Sequence, residues 1–464
     1  MKNHDSGRGR LFRVLAAAAA VCLMLGLTAG CGGEQKPDTS GGTARTDGAF
    51  RETVRDLGGK TIKLASFWNE WQAGESASTV QQECAKTIEA IKKDYNCHIE
   101  LVTLRDSYQQ DINTAIASGI IYANILTLQT EHSSIFSSGN IAPVKDIAAL
   151  DVAGNPWNAT VGAVATRGGV QYGLGFIMPQ QDSINRAVLT FNKELASQYG
   201  IEDLYQLVRD GQWTFDKFRE ISQQVVTRSN GKVYGLIDGY HCFGNMAHAN
   251  GIELVKTENG RLVFNGTSEP VLNALQFMQD YNRAGLLDMK DYVGNDYGLA
   301  EANVFMSRKT LFHMSDFWVV SQVFSSGMPD DYGVLPLPKG PDADKNVGVA
   351  SNARYFSFIK GDPDIEDAAA VLVAIANRNA ITGKEWIDRQ AVDNLRDDDS
   401  IEMLQIMLDN EVTMAMQMIM PLEYSMATQE VIYAMSKTPK QAMEEVAPVI
   451  QAHLDENYNR STNG

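Results

Sequence analysis

Strand-like and helix-like segments alternate along the chain from residue 61 onward, and this alternation constrains the fold more than any other feature. Short apolar and β-branched runs predict strands, whereas longer stretches with apolar residues at helical spacing predict helices. In the first region the predicted strands are 61–67, 98–104 and 124–128, and the predicted helices are 76–95, 108–118 and 135–138. Such a βαβα succession predicts an α/β fold in which helices cover a parallel sheet.

A second region continues the alternation from residue 187. Thr214 and Thr438 are candidate helix N-caps, and Pro439 suits the first helical position. The chain has 464 residues, too many for one compact core, so we expect two lobes. The predicted strands here are 187–191, 231–237 and 310–314, and the predicted helices are 193–198, 214–226, 271–284, 366–377, further helices from 403 and a last one ending at 453.

The N-terminal 30 residues predict export. Four basic residues precede an apolar run from Val14 to Leu27, which is shorter than the roughly 20 residues of a membrane-spanning helix, and small residues follow it as at a secretory cleavage site. The sequence Leu27-Thr28-Ala29-Gly30-Cys31 resembles a bacterial lipobox, which implies removal of residues 1–30 and lipidation of Cys31. An ordinary signal peptide with an incidental cysteine is the alternative. Residues 31–50, rich in Gly, Ser and Thr, predict a flexible linker.

Charge and motifs exclude several classes of function. The net charge is −17, and loss of the leader makes it more negative by three units. Such acidity argues against a basic surface for nucleic acid or anionic lipid headgroups. The sequence contains no Walker loop, G-x-S-x-G or H-E-x-x-H motif, and no cysteine spacing typical of a metal site. Cys84 and Cys97 are expected either to form a disulfide or to be two buried thiols.

Short motifs in a fixed order carry a family resemblance. The most specific is Tyr-Gly-Val-Leu-Pro-Leu-Pro-Lys-Gly at 332–340, and the others lie at 56–62, 117–119, 139–144, 169–174, 189–195, 213–218 and 305–310. Over residues 55 to about 450, and behind a lipobox, they resemble the extracellular solute-binding proteins of bacterial ABC importers, in the maltose-binding-like group.

The resemblance implies a periplasmic-binding-protein-like clamp of two α/β lobes, each a sheet flanked by helices, joined by a hinge. Its three chain crossings are expected near 178–182, 349–352 and 416–420. The first lobe would comprise 51–180 and 352–417, and the second 181–351 and 418–464. The implied protein is a monomeric, lipid-anchored receptor on the extracytoplasmic face of the cell membrane. It would need no cofactor, catalyse no reaction, and deliver an oligosaccharide or glycoside to the transmembrane subunits of an ABC permease.

Candidate ligand-binding residues occupy loops after strands and the first crossing. Aromatic side chains pack on the apolar faces of sugar rings, and planar polar groups bind hydroxyls in concave sites. Trp318 is the favoured aromatic contact, whereas Trp68 or Trp71 could instead pack on the surface of its lobe and His241 could be structural; Trp213 is expected in a core. The candidates are Trp68, Glu70, Trp71, Gln129, Glu131, Gln180, Gln181, Asp182, Tyr240, His241, Asp316, Trp318 and Tyr424.

Two other functions stay open from the sequence. A surface lipoprotein glycoside hydrolase would need two carboxylates roughly 5–9.5 Å apart, which a sequence cannot exclude. The same fold could also bind a peptide, a polyamine or a metal complex, or act beside a sensor kinase. Release of reducing sugar distinguishes a hydrolase from a receptor.

Overall fold

The computed structural model describes residues 49–67, 71, 79–178, 184–238, 242–288, 299–413 and 420–459. All of them lie in one compact unit, residues 46–464. The predicted leader, Cys31 and nearly all of the predicted linker lie outside the described residues. Within the described ranges, no helix has both the length and the apolar character that crossing a membrane requires.

The strands of the described residues are β1 (Thr61–Ser66), β2 (His98–Thr103), β3 (Ile125–Gln129), β4 (Thr166–Arg167), β5 (Val170–Gln171), β6 (Ile184–Asn192), β7 (Tyr234–Asp238), β8 (Val255–Glu258), β9 (Arg261–Phe264), β10 (Thr310–Asp316), β11 (Tyr332–Leu335), β12 (Gly348–Phe358) and β13 (Glu411–Thr413). The main sheet has the order β2-β1-β3-β12-β6-β10-β7, with β11 added beside β6 and β13 beside β12. Strands β4–β5 and β8–β9 form separate antiparallel pairs.

One long strand belongs to two sheet regions. The first residues of β12 pair antiparallel with β6, and its last residues pair antiparallel with β3. The register shifts between Ala350 and Asn352, which marks a bulge within the β6–β12 pairing, and the partner changes to β3 after Ala353. We call the region around β1, β2 and β3 the first lobe, and the region around β6, β7, β10 and β11 the second lobe. Strand β12 runs from the second lobe to the first, and it includes residues 349–352, where the second chain crossing is predicted.

The helices cover both lobes. They are α1 (Thr79–Asp94), α2 (Tyr108–Ala117), α3 (Ala159–Val164), α4 (Lys193–Gln198), α5 (Leu204–Arg209), α6 (Phe215–Arg228), α7 (Met246–Ala249), α8 (Glu269–Arg283), α9 (Leu299–Met306), α10 (Phe317–Val319), α11 (Ser325–Gly327), α12 (Ile365–Asn379), α13 (Gly383–Asn394), α14 (Asp398–Asp409), α15 (Leu422–Ile432) and α16 (Pro439–Leu454). A 3₁₀-helix spans Thr130–Ser138, and π-helical turns span Val320–Phe324 and Asp455–Asn459.

Two predicted helix starts are confirmed by their caps. Thr214 accepts a hydrogen bond from the Lys217 N–H at the start of α6. Thr438 and Gln441 form a reciprocal capping box at the start of α16, with Pro439 as its first residue. Such caps satisfy N–H groups that have no partner inside a helix, and they depend on local sequence alone.

Buried apolar side chains form a core in each lobe. Helices α1 and α12 pack on the first sheet, where the Ala-rich face of α12 is almost completely buried. In the second lobe Trp213 is buried, as expected, and donates its indole N–H to the Pro336 carbonyl at 2.9 Å. Strand β3 is buried along its whole length, as is typical of a parallel strand covered on both faces.

The structure contains no bond between Cys84 and Cys97. Cys84 on α1 and Cys97 just before β2 are both buried thiols in the first-lobe core. The predicted disulfide is therefore wrong for this structure, and the alternative of two buried thiols applies. Burial also raises the pKa of the Cys97 thiol, which keeps it protonated.

Helices α13 and α14 lie in a segment predicted for the first lobe, but they pack on the second. Helix α14 contacts β11 and α5, and Met407 of α14 joins a core cluster of that lobe. Asp397, its N-cap, forms an ion pair with Lys193 and accepts a hydrogen bond from the Tyr205 hydroxyl at 3.0 Å. These contacts anchor α14 to second-lobe elements, so we propose that the return to the second lobe precedes residue 383.

Candidate functional site

The carboxyl ends of the strands in both lobes converge on the middle of β12. Strand β3 runs antiparallel to β12 and ends at Gln129, which pairs with Arg354. Strand β10 ends at Asp316, paired with Ala187 of β6, which in turn pairs with Val349 of β12. Since ligands of open α/β sheets bind beyond the carboxyl ends of strands, the candidate site lies between these two edges.

An aromatic cluster occupies the first-lobe edge. Phe67 directly follows β1, Tyr108 begins α2 after β2, and His132 follows β3. The rings of Phe67 and His132 are stacked, with centroids 4.4 Å apart and planes 12° from parallel. Tyr108 packs edge-on against both, at 5.5 Å from Phe67 and 5.4 Å from His132. Phe67 and His132 are half-buried, so part of this stack faces solvent.

Hydrogen bonds fix the orientation of His132. Its Nδ1 accepts the backbone N–H of Gln129 at 3.0 Å, and the Gln129 side chain accepts the backbone N–H of His132 in return. The Tyr108 hydroxyl donates to the His132 carbonyl at 3.1 Å. Because Nδ1 accepts, the neutral ring carries its proton on Nε2, where it is a donor. The stack therefore combines an apolar face with a fixed polar edge.

The second-lobe edge carries Asp316 and Trp318 at the end of β10. Trp318 is half-buried and packs against the core cluster that contains Phe317 and Trp386. Phe317 is buried, with its ring 5.6 Å from that of Trp386. This packing holds the Trp318 side chain against its own lobe while part of the side chain stays accessible. A residue that stacks on a ligand ring needs both features.

A buried ion pair lies beside the crossing strands. Arg186 on β6 pairs in register with Ala350 of β12, and its guanidinium binds the carboxylate of Glu411 on β13. The guanidinium also lies 4.7 Å from the centroid of the Trp386 ring. Burial lowers the pKa of Arg186, and the Glu411 charge opposes that shift. A paired, stacked arginine is costly to separate from its partner, so this contact stiffens the junction of β6, β12 and β13.

The structure places some predicted site residues and leaves others outside the described ranges. Asp316 and Trp318 lie at the second-lobe edge, and Gln129 lies at the first-lobe edge, where it is buried. Glu131 belongs to the 3₁₀-helix Thr130–Ser138, but its side chain lies outside the description. The predicted residues outside the described ranges are Trp68, Glu70, Gln180, Gln181, Asp182, Tyr240 and His241.

Two predicted aromatic contacts lie in cores instead. Trp71 is 3% exposed and packs in the first-lobe core, whereas the sequence left open a cleft contact or packing on the lobe surface. Tyr424 is 5% exposed on α15 and packs edge-on against Phe264, with centroids 6.2 Å apart. Both side chains are buried in the core of their own lobe, so neither is accessible to a ligand in this structure.

Sequence reasoning missed the stack of Phe67 and His132. Phe67 ends the predicted strand 61–67, and His132 lies in the loop after the predicted strand 124–128, from which only Gln129 and Glu131 are named as candidates. The available signal was positional, since Phe67 directly follows β1 and His132 lies three residues after the end of β3, in the same sheet. Within the described residues, no cluster of His, Cys, Asp or Glu could hold a metal ion.

Comparisons with known proteins agree with this architecture. Residues 73–380 match the model of the bacterial extracellular solute-binding protein family. No curated protein matches the chain. Three solved structures illustrate the similarity of fold.

The ABC substrate-binding protein Lmo0181 from Listeria monocytogenes, in complex with cycloalternan, has a TM-score of 0.61 and 16% identity over 85% of this chain and 98% of its own. The cyclic α-maltosyl-1,6-maltose binding protein from Arthrobacter globiformis has a TM-score of 0.64 and 12% identity, covering 86% of this chain and 100% of its own. UgpB from Mycobacterium tuberculosis, in complex with glycerophosphocholine, has a TM-score of 0.59 and 14% identity, covering 85% of this chain and 98% of its own. At these identities the likeness shows the two-lobed fold alone.

Proposed function

The chain belongs to the family of bacterial extracellular solute-binding proteins, and we propose that it binds an oligosaccharide or glycoside between its two lobes. A member of this family is a binding protein of an ABC importer rather than an enzyme. Delivery to the transmembrane subunits of an ABC permease, from a lipid anchor at Cys31, completes the proposal. The ligand would stabilise one arrangement of the lobes by binding it more tightly than any other.

The stack of Phe67 and His132 carries the proposal. A sugar ring has an apolar face and an edge of hydroxyls, and the stack offers an aromatic surface beside a fixed N–H donor. Trp318, at the opposing strand edge, would supply a second aromatic surface. Two aromatic surfaces at facing strand ends suit a ligand with two ring faces better than a small ion.

The known ligands of similar structures support a sugar without naming it. Cycloalternan and cyclic α-maltosyl-1,6-maltose are bound by two of the similar proteins, and glycerophosphocholine by another. Glycerophosphocholine carries a phosphate and a quaternary ammonium, so it is the specific rival for a cleft with aromatic walls. Both kinds of ligand therefore belong in one experiment.

Calorimetric titration of the mature protein tests the proposal. We would titrate maltotetraose, a cyclic glucooligosaccharide and glycerophosphocholine, and assay the incubated sugars for reducing ends. We expect saturable binding of a sugar and no release of reducing ends. Saturable binding of glycerophosphocholine alone would refute the carbohydrate assignment, and catalytic release of reducing ends would refute the receptor.

Two variants connect binding to the site. Burial of one aromatic side chain against a ring is worth roughly 1.5–3 kcal/mol, so Trp318→Ala and Phe67→Ala should each weaken binding about 10- to 100-fold. Trp157→Ala is the matched control, because Trp157 is also half-buried but packs on Phe50, with centroids 4.6 Å apart. Equal losses in all three variants would indicate a general loss of structure, and unchanged affinity in both site variants would place the ligand elsewhere.

A further inference from the structure

The C-terminal end of α16 belongs to the second lobe. Leu454 and Tyr458 pack in the large second-lobe core. Asn459 binds the backbone of Leu262 in both directions, accepting from its N–H at 2.7 Å and donating to its carbonyl at 2.9 Å. These bonds fix the π-helical turn Asp455–Asn459 along the edge of β9, so Tyr458 is held by the second lobe.

Arg167 on β4 is held by the first lobe. Its Nη1 donates to the carbonyls of Val164 and Thr166 at 2.9 and 2.6 Å. The guanidinium carbon lies 5.3 Å from the ring centroid of Phe136, which stacks in turn on Tyr172 of the same lobe. The arginine is therefore oriented by its own lobe before any contact with the other.

The two residues meet across the lobes. The guanidinium carbon of Arg167 lies 3.8 Å from the centroid of the Tyr458 ring, and the backbone N–H of Gly168 donates to the Tyr458 carbonyl at 3.0 Å. Arg167 is 3% exposed. A planar guanidinium stacks well on an aromatic face, and removal from water strengthens that attraction. Separating the guanidinium from the Tyr458 ring would break this contact, so the contact favours the arrangement of the lobes in which it forms.

This contact is separate from the chain crossings. Strands β6 and β12 connect the lobes through a backbone ladder, whereas β4 and the Asp455–Asn459 turn touch through side chains and one backbone bond. A rotation about the crossing strands that increases the distance between β4 and the Asp455–Asn459 turn would separate Arg167 from the Tyr458 ring. We propose that Arg167 and Tyr458 form a clasp that sets the population of this lobe arrangement before any ligand binds.

The clasp has a consequence for ligand affinity. When only a fraction of the protein has the binding-competent arrangement, the apparent dissociation constant is the intrinsic one divided by that fraction. Residues that touch no ligand would then tune affinity through the population of lobe arrangements. Arg167 and Tyr458 are in this sense positioning residues.

Small-angle X-ray scattering of the ligand-free mature protein tests the clasp, combined with hydrogen exchange of the Gly168 amide. For Tyr458→Leu and Arg167→Met we expect a radius of gyration that differs from that of the wild type and at least about tenfold faster exchange of that amide. Tyr458→Phe keeps the ring and removes only the hydroxyl, so both values should stay closer to those of the wild type than in Tyr458→Leu. Arg261→Met removes an ion pair to Asp455, 2.8 Å long, within the second lobe, and should leave the radius of gyration unchanged.

These measurements distinguish a role in the lobe arrangement from a purely local structural role, and they do not depend on the proposed ligand. A purely local role would speed exchange at Gly168 without changing the radius of gyration, and this result would overturn the proposal. An unchanged exchange rate in Tyr458→Leu that still melts cooperatively would overturn it as well. Both measurements are made without ligand, so a failure of the carbohydrate proposal would leave them standing, and the reverse also holds.

Discussion

Acidification should destabilise this protein through His313, a buried histidine on β10. The ring is 0% exposed, and within the described residues neither of its nitrogens has a hydrogen-bond partner. Phe305 and Phe324 pack against it, with centroids 5.6 and 5.2 Å away. Burial among these rings lowers the pKa of His313 to about 3, from an ordinary value of 6.5. The charged form is excluded from the folded state because it would lose its hydration.

The direction of the pH effect on stability follows from the pKa of His313 in the unfolded and folded states. Above pH 6.5 the histidine is neutral in both states and contributes nothing to the pH dependence of stability. Below pH 6.5 the unfolded chain binds the proton first, so stability falls with pH until the folded state also titrates near 3. With these values the free energy of unfolding should drop by roughly 2 kcal/mol between pH 7 and pH 5 on account of His313 alone.

Urea unfolding at pH 7 and pH 5 measures this contribution as a difference between variants. His313→Leu keeps an apolar side chain of similar volume and removes the titrating ring. The loss of stability between pH 7 and pH 5 should therefore be about 2 kcal/mol smaller in this variant than in the wild type. His98→Gln changes an exposed histidine at the start of β2 and serves as the control. An identical pH dependence in wild type and His313→Leu would refute the reasoning.

Three further outcomes are expected. Cys31→Ser should release the protein from membranes into the soluble fraction, and unchanged membrane association would contradict the lipobox. Thr438→Ala should lower the free energy of unfolding by about 1 kcal/mol, since it removes a capping box, whereas Thr87→Ala inside α1 should have a smaller effect in the same urea titration. Alkylation in denaturant without reductant should modify both Cys84 and Cys97; a disulfide would leave both unmodified.

Local patterns predicted the elements well because helices and caps depend on neighbouring residues. Helix 193–198 was predicted with its observed bounds, and Thr214 caps α6 as expected. Strand β6 extends from residue 184 rather than 187, because its first residues pair with β12 across the lobes. That pairing depends on a strand more than 160 residues away, which no local pattern reveals.

The site was harder to predict because burial is decided by tertiary packing. Trp71 and Trp318 both follow predicted strands, yet Trp71 packs in a core while Trp318 stays half-exposed. The stack of Phe67 and His132 depends on the register of three strands, which aligns the ends of β1 and β3. Residue type therefore identified candidates, and the sheet topology selected among them.

The crossing and the proposed clasp place opposite demands on the movement of the lobes. The bulge between Ala350 and Asn352 interrupts the ladder of β12, so bending there would break few backbone bonds. The same bending would separate Arg167 from Tyr458 and would also move Trp318 relative to Phe67. The ligand would then act on the lobe arrangement through Phe67 and Trp318, whereas the clasp would act on it through Arg167 and Tyr458.

A comparison of free energies shows why it would be effective for ligand contacts and the clasp to act through different residues. Shifting a two-state equilibrium from 1:99 to 99:1 requires about 5.5 kcal/mol of differential binding. Two aromatic surfaces at roughly 1.5–3 kcal/mol each supply about that amount only if both contact the ligand in the same arrangement. A clasp that favours that arrangement reduces the free energy that the ligand must supply, and a clasp that favours another arrangement increases it. Substitutions at Arg167 or Tyr458 should therefore change affinity for every ligand by one common factor, whereas substitutions at Phe67 or Trp318 should change the order of preference among ligands.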